Sequence, residues 1–582
     1  MNKHYVPGEI QLFSKVRYGK TKKGISLYRF IPFHSEYPIA KVATTFGKTH
    51  GEQTNIYAVV EYDQEALNKK EVSIWKNILV KATLIDILGL ITDKIAGLLA
   101  IQYTYLGYNA TRTSKRKKFI LKETNFMQNY EYLSMYPYKR NTERTLYNPK
   151  IICTIDPIGC QDIDDAISFE ILNSTTAIVG VHITDVDEVV KENSGLDKWF
   201  QEQPFTLYRP DKNQNSLPEE VSTNICSLCP NQKRATLSVL YYLNYENEKD
   251  LKIKQITTEL NAFVIESKEK LTYSEATKKI NNSPEWKQFS LFIKKWQQFE
   301  SKYSSTLEEK SEETDSFSHN MIAFLMIRTN AYIAEKLLSS STENVLLRTQ
   351  YKSENNDNTF EKEIEESMKK INAEYVLSNK EIPHTSLQLS AYTHFTSPIR
   401  RYPDLVVHRD VKSKLLPFLK QKKVETINCE FLNNFEKNLH RVESSWNWWQ
   451  YIQEMNNLNY TMIEEKGIIL DWGHFNDDLR YGLSVLIQFG KRKAWVRVVH
   501  PYLINLVKII RTENTIEVNL ISENVSWKVE KFQEVKIKCW WDSSRGIRGI
   551  RFHWITPPLP NFFSKIDLSL FEESKYTLQD WM

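Results

Sequence analysis

Short runs in which apolar and polar residues alternate open the chain. "GISLYRFIPF" and "IYAVVEY" carry the period of two that a half-buried strand requires, and they predict a small β-barrel over residues 1–65. The most apolar stretch, Ile78 to Ile101, is broken by Lys81, Asp86, Asp93 and Lys94. It is too often charged to span a bilayer, and reads as a packed helix or a pair of strands. Residues 66–149 otherwise read as an N-terminal extension or insertion, with one basic run, "TSKRKKF" (Thr113–Phe119), that is either a solvated loop or a nucleic-acid contact.

Residues 150–460 form one large mixed region. Strand-like runs ("TAIVGVHI", "ATLSVLYYL") are followed by long helical patterns ("SHNMIAFLMIRTNAYIAEKLL", "LNNFEKNLHRVESSWNWWQYIQEM"). A hydrophilic stretch, Glu308 to Asp315, separates two elements. From residue 461 to 582 the pattern returns to β. "GIILDWG", "LSVLIQF", "AWVRVVH", "EVKIKCWW" and "IRGIRFHWI" are five strand-like runs, which fit an oligonucleotide-binding barrel. The predicted class is α+β and multidomain, a central mixed α/β domain flanked by small β-barrels.

A chain of 582 residues is long enough for several cores. Its net charge of +5 permits a nucleic-acid partner without demanding one. Most of the 30 Tyr, 27 Phe and 14 Trp must be core, and any surplus could stack on bases. Six cysteines are too sparse to staple this length, which points to a reducing compartment, cytoplasmic or organellar. Cys226-x-x-Cys229 has no second pair to complete a zinc site and reads as packing. "MNKHYVPGEIQLF" has no signal-peptide pattern. No membrane contact and no organic cofactor is expected.

One segment stands out chemically. "TIDPIGCQDIDDAISFE" places Asp156, Asp162, Asp164 and Asp165 within ten residues, between apolar flanks. Two like charges 4 Å apart cost about 4 kcal/mol at an effective dielectric near 20. Such a cluster needs a cation or partial protonation, and oxygen-rich sites suit Mg²⁺ or Mn²⁺. All four carboxylates can converge only if Pro157 and Gly159 bend the chain. Composition alone leaves two readings open, a metal site and a solvated acidic loop.

The segment resembles the signature of the ribonuclease II/R family, "TIDP", a spacer, then "D-[IF]-DD-A". Four further blocks follow in the family's order: "VGVHITDVDEVV", "YRPDKNQNSLPEEVSTNICSLCPNQKRATLSV", "SHNMIAFLMIRTNAYIAEKL" and "AYTHFTSPIRRYPDLVVHRDV". "PIAKVATTFGK" resembles the end of a cold-shock-type barrel. The resemblance implies a central RNB catalytic domain. It implies a processive 3′→5′ exoribonuclease, acting as a monomer on single-stranded RNA with two divalent ions and releasing nucleoside 5′-monophosphates.

It also implies roles. Asp156, Asp162, Asp164 and Asp165 would be the metal-binding and catalytic carboxylates, with Asp164 and Arg400 at the centre of catalysis. Arg400 would clamp the scissile phosphate. In "FTSPIRRYPD", Ser397 reads as an N-cap and Pro398 as the first helical residue, which puts Arg400 in the first turn. Tyr208 would stack on a nucleotide near the 3′ end, against a core role. Glu443 would contact the terminal nucleotide, with Trp446 and Trp449 beside it as core. His182 and His394 read as structural. In the last region Trp472, Lys491, Arg492, Lys493, Trp495 and Trp541 interleave aromatics with positive charge, which suits sequence-tolerant single-strand binding, although any one of the tryptophans is more often core.

One departure from the family is "DVDEVV". Asp187 and Glu188 put extra acid near the expected metal site, where it would alter metal preference. The alternative function is a catalytically inactive RNA-binding relative. A metal-dependent phosphodiesterase on another fold is a third reading, which the ordered blocks disfavour.

Overall fold

In the computed structural model the described residues are 4–14, 18–34, 37–46, 54–62, 80–108, 144–246, 251–300, 316–340, 342–350, 373–419, 427–457, 463–473, 483–490, 492–499, 507–512, 514–521, 526–541, 546–547 and 550–558. "TSKRKKF", the stretch Glu308 to Asp315, Lys491 and the side chain of Trp495 lie outside them. The chain divides into two units. One joins Met1–Ala110, Tyr208–Lys212 and Lys437–Met582; the other joins Thr111–Leu207 and Asn213–Glu436.

The first unit begins with a closed barrel of β1 (His4–Gln11), β2 (Leu27–Pro32), β3 (Ala40–Ala43), β4 (Ile56–Tyr62) and β5 (Val80–Leu90), in the order β1-β2-β3-β5-β4. Its inward residues, among them Val6, Ile10, Phe30, Val42, Ala58 and Val60, form one core. The closing strand comes from beyond residue 65, where the sequence had predicted the barrel to end. The apolar stretch 78–101 is neither a helix nor a pair of strands but one of each: β5, then α1 (Lys94–Leu106). The break is local chemistry. Asp93 is extended and its carboxylate accepts the Ala96 N–H at 2.7 Å, an N-cap that starts the helix there.

The second unit is built on a seven-stranded sheet ordered β14-β7-β8-β9-β12-β13-β6. Its strands are β6 (Thr145–Tyr147), β7 (Ile151–Asp156), β8 (Asp165–Asn173), β9 (Thr176–Thr184), β12 (Lys233–Tyr245), β13 (Ile253–Glu266) and β14 (Glu269–Thr272). Two-residue strands β10 (Leu207–Tyr208) and β11 (Asn213–Gln214) intervene, as does helix α2 (Gly195–Glu202). The sheet is antiparallel except where β14 lies along β7 and β6 along β13. Central strand β9 is buried from Ala177 to Thr184, because both of its faces are covered.

On one face Phe169 and Tyr241 meet Phe289, Phe292 and Trp296 of α4. Helices α3 (Tyr273–Asn282), α4 (Pro284–Phe299) and α5 (Ser316–Ser340) supply that layer. On the other face a polar row, Ser168, His182, Ser238 and Thr236, is hydrogen-bonded side chain to side chain. Gly180 makes room for that row: a Cβ there would lie 2.3 Å from Ser168 Oγ. The unit continues with the pair β15 (Val345–Thr349) and β16 (Glu374–Ser378), helix α6 (Tyr402–Lys414) and the first part of α7 (Cys429–Asn457).

Past the rest of α7, the described elements of the first unit are strands. The five predicted runs are β17 (Ile463–Gly473), β18 (Leu483–Phe489), β19 (Arg492–Val499), β23 (Glu534–Trp541) and β24 (Ile550–Thr556). They form one sheet in the order β19-β18-β17-β23-β24. A second sheet of β20 (Val507–Arg511), β21 (Thr515–Leu520) and β22 (Ser526–Glu530) shares its core. No helix among the described residues is long and apolar enough to cross a membrane. All six cysteines are free.

Candidate active site

Strands β7 and β8 are antiparallel, pairing Cys153 with Ile167, so the end of one and the start of the other lie on the same side of the sheet. Asp156 is the last residue of β7 and Asp165 the first of β8. The eight residues between them make the loop. Cys160 N–H donates to Pro157 O at 3.1 Å, closing a tight turn with Gly159 at φ 81°, the left-handed conformation that a type II turn requires at its third position. The bend expected at Pro157 and Gly159 is therefore present. Ile158 stands at its tip, 88% exposed.

A second segment straps the loop down. Ser227 Oγ donates to Gln161 O and accepts the Ile163 N–H. Leu228 N–H donates to Ile163 O at 3.1 Å. Arg234 in turn holds Ser227 O and Asn224 O. The cysteines of "CSLC" are packing residues here: Cys226 is buried, and the Thr184 hydroxyl donates to its carbonyl.

Asp164 is the pivot. Its side chain is only 4% exposed. Oδ1 accepts the Ile399 N–H at 2.7 Å, and Oδ2 lies 3.4 Å from Arg400 Nε. Arg400 also donates to Ser397 Oγ at 3.0 Å and keeps 40% of its side chain exposed. The sequence reading of this turn needs correction. Residues 398–400 form a turn, and α6 starts at Tyr402 with Arg401 as an extended N-cap residue. Ser397 does not cap it; its N–H donates to Asp404 Oδ1 at 2.8 Å. Arg401 pairs with Phe205 in a β-bridge, which holds it extended and delays the helix. The Ile399 amide is spent on Asp164.

Electrostatics set the cluster apart. Burial first, then repulsion from Asp156, pushes Asp165 up to about 7, with Arg400 opposing. Burial pushes Asp156 up to about 6, against help from Thr154, Lys270 and Cys160. Asp164 is raised well above the carboxylate range by burial, although Arg400 and the Ile399 N–H pull it down. Asp162 is half-buried, and its Oδ1 lies 3.8 Å from Cys160 Sγ. Two neighbours escaped the sequence reading. Lys270, beside Asp156 in the parallel β14 ladder, donates to Cys160 O. Tyr273, the first residue of α3, is pushed up to about 12 by burial and by Asp165 and Asp156. Only the strand pairing, over a hundred residues along the chain, brings them there.

Among the described residues no group of three or more His, Cys, Asp or Glu side chains is arranged to hold a metal ion. The donor chemistry nevertheless fits one. Asp156 Oδ2 is buried without a hydrogen-bond partner. Asp156 and Asp165 repel each other, and one half-exposed arginine is their main cationic relief besides Lys270. Hard oxygens with unbalanced charge suit a divalent cation such as Mg²⁺.

Other expected residues have different fates. His182 is fully buried between Ser168 and Ser238, and burial lowers it to about 3, so it stays neutral. His394 is half-buried against the Tyr375 hydroxyl. Asp187 and Glu188 do not add acid to the carboxylate loop; they pair with Arg409, Lys412, Arg144 and Lys191. Tyr208 and Glu443 belong to the other unit, where Tyr208 is 47% exposed and Glu443 faces His440 at 3.4 Å. Trp446 and Trp449 are core, donating to Leu98 O and Lys94 O. Arg492 packs on Trp448 and Tyr451 and pairs with Glu465, and Trp541 packs on Trp449.

Residues 144–416 match the family model of the RNB domain. Ribonuclease R of Mycoplasmopsis pulmonis is 29% identical over 343 residues, 47% of this chain and 45% of that protein. The match thus spans about half the length of such curated relatives or less. Among solved structures, RNase R of Mycoplasma genitalium in complex with ribose methylated single-stranded RNA aligns with a TM-score of 0.65 at 17% identity, covering 95% of this chain and 90% of that one. Yeast Ssd1, a pseudonuclease, aligns with a TM-score of 0.54 at 14% identity, covering 92% and 81%. At these identities the structural likeness shows the fold alone. The matched region holds both the carboxylate loop and the Arg400 turn, and residues 144–416 are an RNB domain similar to that of the ribonuclease R relatives.

Proposed function

We propose that this protein is a 3′→5′ exoribonuclease that hydrolyses single-stranded RNA processively and releases nucleoside 5′-monophosphates. The observation that carries the reading is Arg400, held against Asp164 beside carboxylates that lack enough positive charge. A guanidinium with 40% of its side chain still exposed can meet a phosphate while its inner edge stays fixed.

Asp156, Asp162, Asp164 and Asp165 would hold Mg²⁺ or Mn²⁺, two ions in the working site. Divalent ions bound there supply charge neutralisation and an activated water. Asp164 would have the further task of fixing the Ile399–Arg400 turn. Arg400 would orient the scissile phosphate and offset the charge that develops on it. Tyr208 would stack on a base near the 3′ end, worth about 1–3 kcal/mol, and Glu443 would contact the terminal nucleotide. The protein would act as a monomer in a reducing compartment, the cytoplasm or an organelle, in keeping with six free cysteines.

The second reading, an inactive RNA-binding relative, is favoured by one observation: a pseudonuclease shares the fold. The four aspartates and Arg400 oppose it. The test uses purified protein, Mg²⁺ and a 5′-labelled single-stranded RNA, compared with Asp164→Asn and with EDTA. Decay to a short 5′-labelled product, lost in both controls, is the expected result. Binding without decay across metals and pH would select the inactive relative.

A further inference from the structure

The mechanism leaves a second acidic cluster unused. Asp185, Asp187 and Glu188 follow β9, and Asp197 lies in α2; three buried cations meet them. Arg409 donates through Nε to Asp187 Oδ1 at 2.8 Å, and through one terminal nitrogen to Asp197 Oδ1 at 2.9 Å and Val190 O at 2.8 Å. Lys412 Nζ lies 2.8 Å from Asp185 Oδ2, 3.1 Å from Asp187 Oδ2 and 3.2 Å from Glu188 Oε1. Arg144 bonds Asp185, and Glu188 at 3.1 Å. Arg409, Lys412 and Asp187 are each at most 2% exposed.

We propose that Asp187, acting through Arg409 and Lys412, is a positioning residue that fixes Arg400 against the carboxylate loop. Arg409 and Lys412 are three apart on α6, so they share one helix face, and Asp187 takes one with each oxygen. A carboxylate gripping two rungs of a helix restrains its rotation as well as its distance. The backbone leading to Asp187 is tied to the catalytic loop, since Thr184 N–H donates to Asp164 O at 2.9 Å and Asp185 N–H to Ala235 O at 2.9 Å. Helix α6 begins at Tyr402, two residues after Arg400.

The path from Asp164 through β9 to Asp187, into α6 and back to Arg400 is therefore closed by charged contacts. The other closure is the direct contact of Asp164 with Ile399 and Arg400. Arg400 itself keeps 40% of its side chain exposed, so its aim depends on the turn that joins it to α6. Although burial alone would raise it, Lys412 and Arg409 hold Asp187 below the usual carboxylate range, so it stays charged. A buried network of this kind is little screened by salt.

This inference rests on the exoribonuclease reading of the same site, and the test separates the two. Asp187→Asn and Arg400→Ala are made singly and together, with Asp187→Glu as the conservative variant. Single-turnover decay of a 5′-labelled single-stranded RNA, RNA affinity in EDTA and thermal melting are measured. We expect Asp187→Asn to slow decay about tenfold or more with Arg400 present, as small misplacements of a catalytic group do. With Arg400 already removed the same change should slow it by less than about twofold, because residues acting through one group are not additive. Asp187→Glu should restore part of the rate. An equal loss in both backgrounds, or no loss with Arg400 present, overturns the proposal in favour of general structural support. Should Asp187→Asn not fold, the cycle is run with Arg409→Lys, which keeps the charge and loses the forked contact with Asp187 and Asp197, under the same criterion. Should the unmutated protein cleave nothing, the enzymatic reading fails, and the same cycle on RNA affinity decides the coupling: additive losses sink it.

Discussion

The second unit contains two clusters of four acids, and they are opposites. Asp185, Asp187, Glu188 and Asp197 meet three buried cations and, at the rim, Lys191, 3.5 Å from Glu188. Their charges are matched, and Asp187 and Glu188 are driven below the ordinary range by Lys412 against the effect of burial. Asp156, Asp162, Asp164 and Asp165 face chiefly Arg400 and Lys270, and three of them are driven up by burial and by one another. Acid count is the same; compensation is not. A matched cluster is a structural clamp, and an unmatched one is where a cation or a phosphate-bearing partner has work to do.

The comparison can be broken most sharply at Arg400. Arg400→Ala should lower the single-turnover rate on single-stranded RNA by about 10²–10³-fold, as loss of one charge-stabilising donor does. A change below tenfold would mean that Arg400 does not meet the reacting phosphate. At the matched cluster the largest effect should be on stability. Lys412→Met leaves two buried carboxylates, Asp185 and Asp187, and the half-buried Glu188 short of a partner, and should cost about 3–5 kcal/mol in urea unfolding. A neutral result would show that the clamp is not energetically coupled.

Opposite shifts give opposite pH dependences. A carboxyl raised in the folded state favours folding as pH falls through its folded value toward its unfolded one, so Asp156 and Asp165 should stabilise the EDTA-treated protein as pH drops from about 7 toward about 4. A carboxyl that is depressed, such as Asp187, adds stability above its unfolded value and loses it only as pH falls further. Mg²⁺ should therefore raise the melting temperature more at pH 8 than at pH 5. An equal rise at both would place the ion elsewhere. The smallest effect is expected for the exposed pair Lys150–Glu285, 2.9 Å apart with side chains 75% and 47% exposed. Lys150→Ala should change stability by less than about 1 kcal/mol, and a larger loss would contradict the distinction between surface and buried pairs.

Elements with strong periodicity were legible without coordinates. The five C-terminal runs became the five strands of one sheet, and "SHNMIAFLMIRTNAYIAEKLL" became α5. Strands β20 to β22 were missed because each has only two or three inward residues, too few to separate alternation from chance. Asp187 and Glu188 were misread for another reason. Their partners, Arg409 and Lys412, lie more than 220 residues away, and nothing local distinguishes a matched acid from an unmatched one.

By itself the sequence determined the carboxylate loop. Four aspartates within ten residues, a proline and a glycine to turn the chain, and apolar strands on either side are local facts, and local sterics enforce them. Only the tertiary structure decided what the carboxylates face. Asp164 meets Ile399 and Arg400 across 235 residues of chain, and the start of α6 at Tyr402 rather than at Pro398 follows from the bridge between Phe205 and Arg401. Charge compensation and helix phase depend on distances through space, and those are fixed by the packing of the sheet rather than by order along the chain.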